Sequence, residues 1–157
     1  MSTFTRIADL PLVVEGYDLA FLGQDVSSGF HRKTTIITLR GAGETGIGED
    51  VSYDSEDHDA AQAAGTYLDL AGAWTWTLAS FCDHVEALDL FPAPPVREVS
   101  RAYRVWAYES AALDLALRQA GTSLHAQLGI TPRPVRFVCS LRLADPGEPP
   151  TIEPLRR

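Results

Sequence analysis

The feature that most constrains the fold of this sequence is a long helical periodicity past its centre. Within residues 97–120, side chains at spacings of three and four form one stripe: Tyr103, Trp106, Ser110, Leu113 and Leu117. This spacing predicts a single long helix that buries that stripe, with Gly121 as its stop signal. A short helix is predicted to follow over residues 124–128 and to end at Gly129.

Strand patterns come before the helices. Residues 33–40 alternate β-branched and other side chains, and residues 41–43 (Gly-Ala-Gly) predict a turn into a partner strand over residues 44–52. With residues 17–22, which continue or pair with an earlier apolar group, they predict a three-stranded antiparallel meander. Strand residues 33–40 place Thr35, Ile37 and Leu39 on one side.

Two shorter helices are predicted between the meander and the long helix. The first begins at Ser55, has acidic residues in its first turn and runs through the alanine-rich stretch to residue 71. The second covers residues 77–88, where apolar side chains again recur at helical spacing. The proline-containing segment 91–96 then interrupts the chain, because proline cannot continue a helix.

Residues 134–143 alternate in the manner of a strand outside the meander. Val135, Phe137, Cys139, Leu141 and Leu143 share one face, and Arg136, Val138, Ser140 and Arg142 share the other. A Pro-rich segment follows without a partner strand. The predicted fold is therefore α+β: a three-stranded antiparallel meander, then a helical bundle, with one trailing strand.

Composition narrows the function classes. The formal net charge is -8 with one lysine, Lys33, which disfavours a nucleic-acid partner because phosphate binding needs clustered Lys and Arg. No apolar stretch reaches the roughly 20 residues of a membrane helix, so we expect no membrane partner. The first ten residues lack the pattern of a secretory signal, and two cysteines form no disulfide framework. These features predict a cytoplasmic protein.

Several motifs have both a functional and a structural interpretation. Residues 41–46 match the glycine-rich dinucleotide motif, but no helix opening follows, which favours a hairpin turn. The acidic cluster over residues 50–59 could hold a cation, yet its spacing fits no calcium loop and acidic residues suit a helix start. Structural roles are favoured for both cysteines, Cys82 and Cys139. Packing roles are favoured for the three tryptophans, Trp74, Trp76 and Trp106.

The order of elements, together with three local motifs, resembles the enolase superfamily of the mandelate racemase and muconate-lactonizing enzyme type. Residues 46–49 (Gly-Ile-Gly-Glu) are similar to the family's Gly-x-Gly-Glu strand, and residues 111–117 (Ala-Ala-Leu-Asp-Leu-Ala-Leu) to its long capping-domain helix. Residues 123–129, followed by Pro134 and Val135, are similar to the passage into the catalytic barrel. The segment between Leu117 and Gly121 is shorter than is usual in that family.

The resemblance implies a capping, substrate-specificity domain over residues 1–130 and the first strand and linker of a truncated barrel over residues 131–157. Complete enzymes of that type are lyases and isomerases that abstract a proton next to a carboxylate, with Mg²⁺ stabilising the enolate. The catalytic lysines and magnesium-binding carboxylates lie on barrel strands beyond this sequence. We therefore expect no catalytic residue, no metal ligand and no bound cofactor in this chain, and no catalysis by the chain alone.

The resemblance also implies where substrate contacts lie. In that family a loop between the first two meander strands, here residues 23–32, and a loop after the third strand close over the substrate. On the trailing strand, inward-facing residues near the carboxyl end would face the active site. The substrate-binding candidates are Ser28, Phe30, His31, Tyr53, Ser140 and Arg142. Asp50 and Ser52 share the second loop with Tyr53.

The expected partners are a small carboxylate substrate in the complete enzyme and the chain's own barrel domain. The sequence leaves open whether the chain forms a homo-oligomer. The alternative function is a freestanding module that binds small molecules or proteins without catalysis. A third reading, an independent small enzyme using the acidic cluster or a cysteine, has little support in the sequence. The residues that determine which substrate a member of the superfamily uses lie mostly in the barrel.

Overall fold

The fold is described by a computed structural model that covers residues 2–26, 29–71 and 75–137. It is an α+β fold in which a three-stranded antiparallel sheet packs against helices. A short 3-10 helix at Phe4–Arg6 comes first. The strands are β1 (Pro11–Val13), β2 (Gly16–Asp25), β3 (His31–Gly41), β4 (Glu44–Asp50) and β5 (Thr75–Thr77). The helices are α1 (Ser55–Ala64), α2 (Leu78–Ala87), α3 (Ser100–Gln119) and α4 (Leu124–Leu128).

The predicted meander is confirmed, with β3 in the middle of the order β2-β3-β4. Strand β3 pairs antiparallel with both neighbours, and its Leu39 lies opposite Tyr17 on one side and Gly46 on the other. The predicted turn is a two-residue hairpin loop. Ala42 and Gly43 have φ angles of 50° and 78°, as the type I′ turn of a tight hairpin requires.

The long helix α3 is confirmed, but the prediction of its buried face is wrong. Trp106 is 56% exposed, whereas Ala107, Ala111 and Leu115 are buried. The reason is the distance between α3 and strand β4. A Cβ atom at Gly48 would lie 2.0 Å from the carbonyl oxygen of Ala107, so the backbones nearly touch. The small residues Ala107 and Ala111 of α3 therefore face β4, and Trp106 lies on another side of the helix.

A second, two-stranded sheet was not predicted. Strands β1 and β5 pair antiparallel, with Leu12 opposite Trp76. The Gln119 side chain fastens β1 to the rest of the fold. Its Oε1 accepts from the Val13 amide at 3.0 Å, and its Nε2 donates to the carbonyls of Val13 and Gly41 at 2.8 and 3.0 Å. The end of α3 thus completes hydrogen bonding between β1 and β3.

The helix boundaries follow from local signals that the sequence contains. Helix α1 ends at Ala64, not at residue 71 as predicted, because Gly65 has a φ of 67° and its amide caps the Ala61 carbonyl. Helix α2 confirms the second prediction, and Thr77 and Ser80 form a capping box at its start. Helix α4 ends at Gly129 in the left-handed conformation, as predicted.

The trailing segment is described only in part. Residues 131–137 are neither helix nor strand, and Val135 and Phe137 are 72% and 91% exposed. The rest of the predicted strand, with Ser140 and Arg142, lies outside the described residues, as do Cys139 and Trp74. Within the described ranges, no helix combines the length and apolar character needed to cross a membrane.

Candidate functional site

An aromatic pair joins the two predicted substrate loops at the open end of the meander. The rings of Phe30 and Tyr53 are stacked, with centroids 5.0 Å apart and planes 15° from parallel. Two guanidinium groups flank the Tyr53 ring: Arg97 at 5.2 Å and Arg32 at 6.0 Å from its centroid. We call Phe30, His31, Arg32, Tyr53 and Arg97 the loop-end cluster. It presents aromatic surface and positive charge on a chain whose net charge is -8.

His31 lies in this cluster, but its ring contacts Asp25 and its carbonyl contacts Ser55. The predicted loop over residues 23–32 is shorter in the structure, so His31 is the first residue of β3. Its Nδ1 lies 2.7 Å from Asp25 Oδ1, and its carbonyl accepts from the Ser55 hydroxyl at 3.3 Å. The imidazole therefore has a partner across the hairpin. Ser28, the other candidate in this loop, lies outside the described residues.

A groove of about 330 Å³ runs beside the cluster between the loop after β4 and the start of α3. Its walls include Tyr53, Arg97, Val99 and Tyr103. Arg97 Nε lies 3.1 Å from Asp54 Oδ2, in an ion pair that lacks hydrogen-bond geometry. Neither arginine of the cluster was predicted, since an arginine in a loop or near a strand start is ordinarily a solvated residue.

A buried polar network fixes the loop after β4 from the interior of the protein. We define it as Thr35, Asp50, Ser52, Asp57, His58 and Arg104, each of which is at most 4% exposed. Arg104 Nε donates to Asp50 Oδ2 at 2.7 Å, and its other nitrogens donate to the carbonyls of Leu90 and Asp57. Asp50 Oδ1 accepts from the amide and hydroxyl of Ser52 at 3.0 and 2.6 Å. Each of these interactions is a direct hydrogen bond to the loop or to a neighbouring element.

The His58 side chain completes the buried network in one tautomer. Its Nε2 lies 2.9 Å from the Ser52 carbonyl, and its Nδ1 lies 2.8 Å from the Thr35 hydroxyl. Because a carbonyl only accepts, Nε2 carries the hydrogen and Nδ1 accepts from Thr35. Asp50 and Ser52 therefore point into the protein, whereas Tyr53 is 49% exposed.

The structure distinguishes between the functional and the structural interpretations of the glycine-rich motif and the acidic cluster. Residues 41–46 form the β3–β4 hairpin and its turn, which confirms the structural interpretation of the glycine motif. The acidic cluster is divided among cations, since Asp50 pairs with Arg104, Asp54 with Arg97 and Asp59 with Lys33. In the part of the chain that the structure describes, no group of three or more His, Cys, Asp or Glu side chains has metal-site geometry.

Trp76 and Cys82 have the predicted packing roles. The Trp76 ring meets Phe81 edge-on at 5.9 Å and stacks on His84 at 5.0 Å. Cys82 is a free, buried thiol of α2. Burial, together with the negative charge of the nearby Glu109, raises the Cys82 pKa to about 12. Trp106, by contrast, is exposed, so its predicted core role is wrong.

Cys82 is expected to react slowly with thiol reagents. At pH 8 a group with a pKa of about 12 is almost entirely protonated, and only the thiolate attacks. In the Cys139→Ser variant, which leaves Cys82 as the one thiol, we expect labelling on the order of a thousandfold slower than that of a free cysteine. Labelling in urea should restore the ordinary rate. A rapid reaction in the folded state would contradict the buried placement.

The fold and the loop-end cluster define a small α+β domain that presents an aromatic pair and two arginines at one end of its sheet. The chain belongs to the family described as domain of unknown function (DUF8230), N-terminal domain, which matches residues 5–127. That span contains strands β1–β5, helices α1–α3 and all but the last residue of α4. No curated protein matched the chain, and no solved structure did.

Proposed function

We propose that this chain is the capping domain of an enolase-type enzyme and that its loop-end cluster closes over a small carboxylate substrate. The reaction would belong to a separate barrel domain, where Mg²⁺ stabilises the enolate formed by proton abstraction. The chain's own contribution would be to bind, orient and enclose the substrate. Its residues for that task are Phe30, Arg32, Tyr53 and Arg97.

The stacking of Phe30 on Tyr53 carries this proposal. The two residues come from the two loops that the family resemblance assigns to substrate closure, and they are 23 positions apart in the sequence. The buried network fixes one of these loops, so Tyr53 is held in place by the fold. Flat rings with two guanidinium groups near Tyr53 suit a small anionic molecule, because Arg provides paired donors for a carboxylate.

The order of elements in the structure also supports the proposal. An antiparallel meander, a bundle with one long helix and a short helix follow each other as in the capping domain that the sequence resembles. The Gly-x-Gly-Glu match also has a physical reason in this fold, because Gly46 and Gly48 allow α3 to approach β4. The description of the matching family as an N-terminal domain agrees with a following domain.

The proposal is tested by proton exchange. The chain alone, incubated in D₂O with Mg²⁺ and a panel of carboxylates, should show no exchange of the proton next to the carboxylate by NMR. The product of the longer reading frame, if translation continues past Arg157, should catalyse the exchange. In that protein, Phe30→Ala and Tyr53→Ala should each raise KM about tenfold or more, because they remove wall contacts in a substrate site.

Leu22→Ala is the matched control, since Leu22 is an exposed apolar residue of the same sheet at 55% exposure. It should leave KM unchanged. Magnesium-dependent turnover by the chain alone would contradict the proposal. A stop codon directly after Arg157 would favour the freestanding binding module instead. Equal effects of Tyr53→Ala and Leu22→Ala would show that Tyr53 does not contact the substrate.

A further inference from the structure

A second cavity lies on a different side of the molecule, between the amino-terminal 3-10 helix, α2 and α3. Its volume is about 350 Å³, within the range of roughly 300–1,000 Å³ that small-molecule pockets occupy. The apolar wall includes Phe4, Leu78, Trp106 and Leu113, and Glu109 provides a carboxylate. Phe4 and Trp106 remain 48% and 56% exposed, so their rings are accessible from solvent.

Of the side chains that the structure describes, the one charged group that lines this pocket is the carboxylate of Glu109. Glu109 is half-buried, and among the described residues no Lys, Arg or His makes an ion pair with it. Asp83 and Glu86, both exposed on α2, add negative charge close to Cys82 at the same pocket. Burial and the charge of Glu86 raise the pKa of Glu109. A positive group in the pocket would relieve this repulsion.

We propose that this pocket binds a small organic cation, an ammonium group on an apolar body of about the size of one ring. The ammonium would donate to the Glu109 carboxylate, and the apolar body would lie against Trp106, Leu78 and Leu113. Tryptophan is the best aromatic partner for a cation, and a carboxylate without a cation of its own provides the opposite charge. This site is independent of the loop-end cluster and of the proposed function.

The lining of the pocket distinguishes this ligand from other classes. A neutral apolar molecule would leave the half-buried Glu109 carboxylate with the Cys82 thiol as its side-chain partner and without a cation. An anion would face Glu109, Glu86 and Asp83 at close range, where like charges repel. Only a cation uses both the carboxylate and the exposed Trp106 ring.

The test is a titration of the full chain with 2-phenylethylammonium, followed by ¹H–¹⁵N NMR and calorimetry. We expect saturable one-to-one binding, with chemical-shift changes at residues 4–7, 78–82 and 106–113. The neutral analogue 2-phenylethanol should bind about tenfold more weakly, because a charge-assisted hydrogen bond contributes that much. Equal affinity for the two molecules, no saturable binding, or shifts confined to other regions would overturn the proposal.

Two variants and a control locate the interaction. Glu109→Gln keeps the shape of the side chain and should weaken ammonium binding about tenfold while leaving binding of 2-phenylethanol unchanged, which also reports an intact pocket. Trp106→Leu should weaken ammonium binding about threefold or more. Glu86→Gln removes a neighbouring exposed charge and should change affinity by less than about twofold. Equal losses in Glu86→Gln and Glu109→Gln would overturn the proposal, since they would indicate only a diffuse negative field.

Discussion

Replacement of Arg104 by methionine is expected to lower the free energy of unfolding by about 3–5 kcal/mol, the range for a broken buried ion pair. Methionine retains much of the apolar stem but removes every donor. Asp50, which is 1% exposed, would keep a buried charge without its cation. The carbonyls of Leu90 and Asp57 would also lose their donor. Urea unfolding followed by circular dichroism measures the change.

Arg101→Met is the matched control, because it replaces the same residue type about one turn earlier in the same helix. Arg101 pairs with Asp89 and Glu98 at the surface, where water and salt screen ion pairs so that they contribute little to stability. We expect a correspondingly small loss. Arg104→Met combined with Asp50→Asn should cost less than the sum of the two single variants, because the buried charge is then removed. Equal losses in Arg104→Met and Arg101→Met would show that the buried network does not stabilise the fold.

The second large effect is expected at Gly48. In Gly48→Ala the new Cβ would lie 2.0 Å from the carbonyl oxygen of Ala107 and 2.9 Å from the Ala111 amide. Both are helix backbone atoms, so no side chain can rotate away and α3 must move off the sheet. Overpacking of this kind costs about 1–3 kcal/mol and occasionally more. We expect a loss of about 3 kcal/mol, measured by urea unfolding.

Gly16→Ala tests whether the loss at Gly48 reflects close packing and not the removal of glycine as such. Gly16 is also in a strand of the meander, but its added Cβ would meet only the end of the flexible Arg40 side chain, at 3.4 Å. Its effect should stay within about 1 kcal/mol, as strand substitutions without a clash do. A Gly48→Ala variant as stable as Gly16→Ala would mean that α3 and β4 are further apart than described.

The fold was predictable where the determinants are local. Alternation in β3, the Gly-rich turn, the periodicity of α2 and the stop at Gly129 each act within a few residues, and each prediction is confirmed. The buried face of α3 was not predictable in this way. Its apolar stripe with Trp106 satisfies helical periodicity, but the face that is buried depends on the glycines of a strand about 60 positions earlier. Strands β1 and β5 have three residues each, too few for a recognisable pattern.

In the candidate site, too, some residues could be predicted from local sequence and others could not. Phe30 and Tyr53 could be proposed because they stand in predicted loops, and the structure brings their rings together. Arg104 could not, because an arginine in a helix usually lies at the surface. Its burial depends on acceptors from three separate segments, those of Asp50, Asp57 and Leu90. No spacing along the chain reveals that these segments meet at one guanidinium.

The bridge from Gln119 to Val13 spans 106 positions of the chain, and this separation has a consequence for synthesis on the ribosome. Strand β1 is made early, whereas the amide that completes its hydrogen bonding is made near the end of α3. Contacts between such distant residues form late, since the intervening chain must first be available and ordered. During translation β5 can pair with one edge of β1, but the other edge, at Val13, stays open until Gln119 is made. An open strand edge is a kind of surface that chaperones shield and other nascent chains can join. Release of the segment carrying Gln119 ends that exposure.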